Sequence, residues 1–330
     1  MKCVKCEIEL AETWKHCPSC GTVCSSPVLK KDEISGKTTV VAEKKSKNLG
    51  FRTEILKEDS LKRDNEAFNT IIDDRYEIED TIGCGGFAVV FKAKDKKLGN
   101  RTVAIKRLLK KYLEGKDECL QVIARFQRES SVIASLNHRN VVTVYDCNTD
   151  EEGYYIVMEY ISGGTLRDYL NSKGVIPLEE ALNIVKGVCQ GLSYAHRKNL
   201  IHRDIKPSNI MLSIEGNNIV PRIVDFGLAR LNSEGFSDVS ITGLGMGTPF
   251  YVSPEQRRDA KNVNHTTDIY SLGKVLYELV TGEIPDNVDY KLLAQNPSLS
   301  EIILKCLKTH PEERFFSIDE MITEIDKLLT

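Results

Sequence analysis

From Tyr76 onward the residues are segregated by periodicity, and that ordering constrains the fold more than any other feature of the chain. Short runs rich in β-branched and aromatic residues come first: Tyr76-Gly83, Val89-Asp95 and Thr102-Arg107, then Val141-Tyr145 and Tyr154-Met158. Glycine-rich or polar stretches separate them, with Asn148-Thr149-Asp150 reading as a turn, as expected of a small antiparallel sheet. Between the third and fourth runs, Phe126, Glu129, Ile133 and Leu136 recur at helical spacing. Beyond residue 165 helical stripes dominate. Leu182, Val185, Val188, Leu192 and Ala195 form one, starting after Pro177, a residue suited to a helix start. Thr266-Val280 and Ser317-Leu329 read as further helices. Strands grouped ahead of helices predict an α+β fold in two lobes, the first mainly β and the second mainly α.

What precedes Tyr76 has a different texture. The chain has 330 residues and ten cysteines, five of them (Cys3, Cys6, Cys17, Cys20 and Cys24) within the first two dozen positions. Cys3-x-x-Cys6 and Cys17-x-x-Cys20 are two tight turns, each able to aim two thiolates at one ion, and together they supply the closed tetrahedral Cys₄ set that Zn²⁺ prefers. His16 and Cys24 are competitors for a ligand place and rank below the four knuckle cysteines. Residues 1–24 resemble a short zinc ribbon, in which a structural metal replaces a core that so short a segment cannot bury. A protein partner is expected for the ribbon, with nucleic acid the weaker alternative. Residues 25–72, rich in charge and including Lys44-Lys45-Ser46-Lys47, read as a solvated linker, and residues 73–330 as the main domain.

The net charge of −3 argues against wholesale attraction to nucleic acid. No apolar run is long enough to span a bilayer, and the opening Met-Lys-Cys-Val-Lys-Cys lacks the apolar core of a secretory signal. A cytoplasmic location with no membrane partner is therefore expected, where cysteines bind metal more often than they pair.

Four motifs follow in order along the main domain. Gly83-Cys84-Gly85-Gly86-Phe87-Ala88-Val89-Val90 is a glycine-rich turn between two strands, which lets backbone N–H groups approach phosphate oxygens. Val103-Ala104-Ile105-Lys106 ends the third strand. His202-Arg203-Asp204-Ile205-Lys206-Pro207-Ser208-Asn209 is the decisive motif, and Asp225-Phe226-Gly227 follows the strand Arg222-Ile223-Val224. With these four in this order, nearly all of residues 76–329 resembles the eukaryotic-type (Hanks-type) Ser/Thr protein kinases, in texture their bacterial members.

The resemblance implies the bilobal protein-kinase fold and transfer of the ATP γ-phosphoryl group to protein Ser/Thr hydroxyls, the chain itself included. It implies ATP and Mg²⁺ (or Mn²⁺) as cofactors, with Zn²⁺ in a structural role in the ribbon. Asp204 would accept the substrate hydroxyl proton, and Lys206 would neutralise charge on the γ-phosphate. Asn209 and Asp225 would hold the metal. Lys106 would bind the α- and β-phosphates, held by a helix carboxylate for which Glu129 is the first choice and Glu118 the second. Gly83, Gly85 and Gly86 would cradle the phosphates. Val90 and Ala104 would roof the adenine slot and Met211 floor it. Glu159-Tyr160-Ile161 would be the hinge, with Met158 behind it. Glu255 is expected to pair with Arg314, and Asp268 to brace the catalytic loop.

Arg203 before the catalytic aspartate implies an activation segment ordered by phosphate, with Thr242 the first candidate site and Ser240 the second. Ser253 stands where the family usually has alanine, and Ala88 where it has a third glycine. Between Gly282 and Pro311 the chain is shorter than usual, which predicts a small or missing substrate-docking helix. The alternative readings are a nucleotide-binding pseudokinase scaffold, or a regulator acting through its ribbon. Lys106, Asp204 and Asp225, the residues such scaffolds usually lose, are all present.

Overall fold

The computed structural model describes residues 71–84, 88–108, 133–216, 218–226, 249–259, 262–286, 288–289, 293 and 295–330. All of them lie in one unit, Asn65–Thr330.

The β-type runs build a six-stranded antiparallel sheet in the order β1-β2-β3-β4-β6-β5. Its strands are β1 (Ile71–Ile72), β2 (Tyr76–Cys84), β3 (Ala88–Asp95), β4 (Arg101–Leu108), β5 (Val144–Asp150) and β6 (Gly153–Glu159). Register decides which residues share a face. Phe91 pairs with Ile105 and Ile105 with Val157, and these join Val89, Ala93, Val103 and Tyr155 in a small apolar cluster. The alternate set, Val90 opposite Lys106 and Ala104 opposite Met158, occupies the other face, because side chains alternate along a strand.

The turn after β1 fastens the sheet. The Arg75 guanidinium donates to both Asp95 oxygens at 2.9 and 2.8 Å and to Asp146 of β5 at 3.3 Å, while Asp73 accepts from Asn148 at 3.2 Å and from the Tyr155 hydroxyl. Arg75 thus joins the end of β3 to the far edge strand.

Two expected boundaries moved. Val141 makes an isolated parallel bridge to Ile223, and the strand begins at Val144. Asn148-Thr149-Asp150 is not a turn. It continues β5, pairing with Tyr155, Tyr154 and Gly153, and the chain reverses at Glu151-Glu152 instead. That reversal is held by the Glu152 N–H donating to Asp150 Oδ1 at 2.9 Å and by Gly153 at φ 119°.

The second half is helical apart from one hairpin, β7 (Ile210–Glu215) and β8 (Asn218–Ile223). Its helices are α1 (Leu166–Lys173), α2 (Leu178–His196), α3 (Pro254–Arg258), α4 (Thr266–Thr281), α5 (Pro297–Cys306) and α6 (Ile318–Leu329). The apolar stripe expected on α2 is buried throughout, with Leu182, Val185, Val188, Leu192 and Ala195 all fully covered. Helix α1 was not expected. Thr165 caps it with a reciprocal capping box to Asp168. Helix α4 is buried from Thr266 to Leu279, as befits a helix surrounded by others.

At Gly163 the chain passes so close to β7 that a Cβ would lie 2.1 Å from the Leu212 carbonyl oxygen, so only glycine fits. The Leu212 N–H donates to the Gly164 carbonyl at 2.9 Å, which fixes β7 against the segment leaving β6. Between Gly282 and Pro311 the structure describes the ten-residue helix α5. Among the described residues, no helix is long and apolar enough to cross a membrane.

Candidate active site

The 202–209 loop and the end of β8 are brought together by the β7-β8 hairpin. Its register sets Ile210 opposite Ile223, so the residues flanking the pair become neighbours. The Val224 N–H donates to the Asn209 carbonyl at 3.0 Å, which brings Asp225 beside the loop despite the intervening hairpin.

Within the loop, Asp204 is the hub. Lys206 Nζ donates to Asp204 Oδ2 at 2.7 Å, and Asn209 Nδ2 donates to Asp204 Oδ2 and to the Asp204 carbonyl, both at 2.8 Å. His202 is fully buried and holds the loop by three bonds. Its Nε2 lies 2.9 Å from the Val224 carbonyl, which can only accept, so Nε2 carries the proton. Nδ1 is then the acceptor for the Asp204 N–H at 3.1 Å. The ring meets Phe226 edge-on at 4.7 Å, and Phe226 is itself fully buried.

Asp268, in the first turn of α4, supports the loop from below as expected. Its carboxylate accepts the His202 N–H at 2.9 Å, the Arg203 N–H at 2.8 Å and His196 Nε2 at 2.8 Å. Burial pushes its pKa up, but the His196 hydrogen bond and the His202 N–H outweigh it, and the carboxyl is held below its ordinary value.

Lys106, on the site face of β4, donates to Asp225 Oδ1 at 2.6 Å. Burial would raise the Asp225 pKa; the Lys106 charge and hydrogen bond, then the Lys206 charge, bring it below the carboxylate norm. Asp225 has φ 62° and Arg203 φ 69°, left-handed backbone that residues bearing a Cβ adopt rarely and mostly at functional sites.

Val90, Ala104 and Met158 share the sheet face that carries Lys106. Glu159 ends β6 and Ile161 follows on the segment leaving it, and Met211 lies on β7, where it bridges Thr165. Gly83 closes β2. Gly85, Gly86, Glu118, Glu129, Ser240, Thr242 and the cysteines Cys3, Cys6, Cys17 and Cys20 lie outside the described residues. Arg314 meets Glu255 in a bidentate pair, both contacts 2.7 Å.

Sequence reasoning missed one buried network. Arg167 of α1 donates to Glu278 of α4 at 2.6 and 3.1 Å and to the Tyr251 hydroxyl oxygen, and the Tyr251 hydroxyl donates to Glu278. The signal was Glu278 itself, a carboxylate amid an apolar helix, which demands a partner.

Among the described residues there is no cluster of three or more His, Cys, Asp or Glu able to hold a metal. Mg²⁺ does not require one. It binds through one or two hard oxygen donors plus substrate phosphates, and the Asn209 amide and Asp225 carboxylate are such donors on adjoining segments.

The family description "Protein kinase domain" matches residues 76–325, and the chain belongs to that family. It is 38% identical over 276 residues to a probable serine/threonine-protein kinase of Clostridium perfringens, covering 78% of this chain and 39% of that protein. It is also 38% identical over 276 residues to the serine/threonine-protein kinase PknB of Mycobacterium leprae, covering 77% of this chain and 43% of PknB. The chain therefore spans about two fifths of the length of these relatives. The kinase domain of Mycobacterium tuberculosis PknI superposes with a TM-score of 0.61 at 25% identity, over 78% of this chain and 97% of PknI's. A crystal structure of Rad53 in complex with AMP-PNP superposes with a TM-score of 0.62 at 24% identity, over 78% of this chain and 66% of Rad53's; it bears on the fold alone. The antiparallel sheet and helical half are thus the two lobes of a kinase fold.

Proposed function

We propose that this chain transfers the γ-phosphoryl group of ATP to Ser and Thr hydroxyls of proteins, including its own. The observation that carries this is the convergence of Asp204, Lys206 and Asn209 in one hydrogen-bonded loop beside an Asp225 paired with Lys106 at 2.6 Å. Asp204 is placed to orient the acceptor hydroxyl and take its proton as the oxygen attacks. Lys206, bonded to the same carboxylate, brings a positive charge to the side where the transferred group passes. Asn209 spends its N–H₂ on Asp204, which leaves Oδ1 as the atom offered to a cation. Bound Mg²⁺ would neutralise charge on the β- and γ-phosphate oxygens. Asp225 would be its carboxylate ligand, and Lys106 would face the α- and β-phosphates, with Gly83, Gly85 and Gly86 around them.

The adenine ring would lie between Val90 and Ala104 above and Met211 below, its edge along Glu159 and Ile161 in front of Met158. Glu129 is the proposed helix carboxylate for Lys106. Phosphate on Thr242 or Ser240 would be read by Arg203. Cys3, Cys6, Cys17 and Cys20 would hold one structural Zn²⁺ in a ribbon that recruits a protein partner. A pseudokinase scaffold is the second reading, and the presence of Lys106, Asp204 and Asp225 weighs against it.

Purified protein with ATP-Mg²⁺ and a generic acceptor should incorporate phosphate on Ser or Thr. Asp204→Asn should lower this at least ~100-fold while nucleotide still binds. Equal incorporation by the variant, or none by the parent, would defeat the reading. Elemental analysis of the full chain should find one zinc; none would remove the ribbon assignment.

A further inference from the structure

Arg203 is held through both of its backbone polar groups. Arg203, at φ 69°, keeps a left-handed conformation that persists only where the surroundings impose it. Asp268 Oδ1 takes its N–H at 2.8 Å. Its carbonyl is taken by a residue nothing above assigns: Gln256 Nε2 donates to it at 2.7 Å, from α3, at the close of the segment that begins with Asp225.

The directions of the bonds behind Gln256 can be worked out in sequence. A carbonyl only accepts, so the amide N–H₂ faces Arg203 and Oε1 faces the other way. There Oε1 accepts the Thr267 hydroxyl at 3.1 Å. With the Thr267 proton committed, its 2.5 Å contact with Ser253 runs from the Ser253 hydroxyl to Thr267 Oγ1. Ser253 Oγ in turn accepts the Gln256 N–H at 3.4 Å. Ser253 and Thr267 are fully buried, so water does not compete, and each bond in such a chain polarises the next.

We propose that Gln256 is a positioning residue which couples the seating of α3 to the geometry of Asp204. This rests on the phosphotransfer reading above. Gln256 touches no reacting atom; it acts through the peptide whose carbonyl belongs to Arg203 and whose N–H belongs to Asp204. With α3 seated, Ser253 and Thr267 orient the amide, the amide holds the carbonyl, and Asp204 Oδ2 stays where Lys206 and Asn209 meet it. With α3 displaced, the Arg203 carbonyl loses the Gln256 amide, while Asp268 still takes the Arg203 N–H and His202 Nδ1 the Asp204 N–H.

The test is Gln256→Met, which keeps length and removes both hydrogen-bonding atoms. Gln256→Glu is a second variant that keeps the acceptor for Thr267 but sets a carboxylate against the carbonyl. Each is compared with the parent in full-length protein by steady-state phosphotransfer and by hydrogen exchange of the Asp204 amide, which donates to His202 Nδ1. Both variants should lower kcat ~10-fold or more with KM for ATP within about twofold, because small misplacements of a reacting group cost rate rather than binding. The Asp204 amide should exchange faster in both, and Thr267→Val should move the same readouts by less. An unchanged kcat with unchanged Asp204 exchange would overturn the proposal, as would a rise in KM for ATP that accounts for the whole loss. If the parent transfers no phosphate yet both variants speed Asp204 exchange, the coupling stands and the phosphotransfer reading falls.

Discussion

The pair of Glu255 and Arg314 makes a stability effect calculable from geometry. The Arg314 side chain is fully buried. Nη1 donates to Glu255 Oε1 at 2.7 Å and to the Thr266 carbonyl at 3.0 Å, and Nη2 to Glu255 Oε2 at 2.7 Å and the Thr309 carbonyl at 3.3 Å. Nε donates to the Lys308 carbonyl at 2.9 Å. Every guanidinium N–H thus has an acceptor, and among the described residues Glu255 is the carboxylate that neutralises the charge. Glu255→Gln keeps the shape and removes the charge, leaving a buried cation without its counter-ion. Breaking such a pair costs ~3–5 kcal/mol. The Glu255 side chain is 21% exposed, so water recovers part of this and the lower end, about 3 kcal/mol, applies. For a domain of this size each kcal/mol moves Tm by about 2–4 °C, so a fall of ~6–12 °C is expected by thermal melting. Arg314→Met should also destabilise, and the double variant should fall short of the sum by at least ~1.5 kcal/mol in urea titrations. The pH dependence has a definite sign. Burial pushes the Glu255 carboxyl up, yet the Arg314 hydrogen bonds and charge hold it below its ordinary value of 4.5. A depressed folded pKa stabilises above the unfolded pKa and loses that contribution as pH falls through the folded one, so the deficit of Glu255→Gln should shrink in acid. A Tm change under ~2 °C at neutral pH, or strict additivity of the two substitutions, would refute the argument.

Gly163→Ala sets a Cβ 2.1 Å from the Leu212 carbonyl oxygen, backbone that cannot swing away, and should cost ~1–3 kcal/mol in urea unfolding. Asp268→Ala strands the buried His202 and Arg203 N–H groups at ~1–3 kcal/mol each and should lower phosphotransfer further than stability alone explains, read as kcat on protein still folded by circular dichroism. Because the Asp268 pKa is depressed, the stability gap between the parent and Asp268→Asn should be full above the ordinary carboxylate value and close as pH falls through the folded pKa.

The site was legible to the extent that its chemistry prescribes residue types at set offsets. Asp204, Lys206 and Asn209 lie within one short loop, so their sequence spacing is already their spatial relation. Lys106 and Asp225 are far apart in the chain, and before their 2.6 Å contact in the fold only the resemblance joined them. The β5 boundary failed because β5 is the last strand of the sheet and mostly exposed, and a polar Asn148-Thr149-Asp150 is as acceptable on an edge strand as in a turn. Helix α1 had a readable sign in Thr165 and Asp168, the spacing of a capping box. Gln256 had none. An exposed-looking glutamine after a helix start says nothing until the Arg203 carbonyl is found at its tip.

Helix α4 shows why that polar contact belongs to geometry rather than to cohesion. A helix buried from Thr266 to Leu279 could have been apolar on every side, and replacing buried polar groups with apolar ones of like shape is often neutral for stability. Instead its first two turns carry Thr267, Asp268 and Ser271, and each reaches a different part of the structure. The Thr267 hydroxyl donates to Gln256 Oε1, Asp268 holds the 202–209 loop and His196, and the Ser271 hydroxyl donates to the Tyr251 carbonyl at 2.8 Å. Near the far end, Glu278 takes Arg167 of α1 and the Tyr251 hydroxyl. Apolar contacts are tolerant of sliding, whereas these bonds are satisfied in one register only, since a shift by one residue would bury several groups without partners. Polar residues on α4 therefore tie the 202–209 loop and residues 251–256 to a common rigid axis, and Arg203 can be kept at a backbone angle it would not choose.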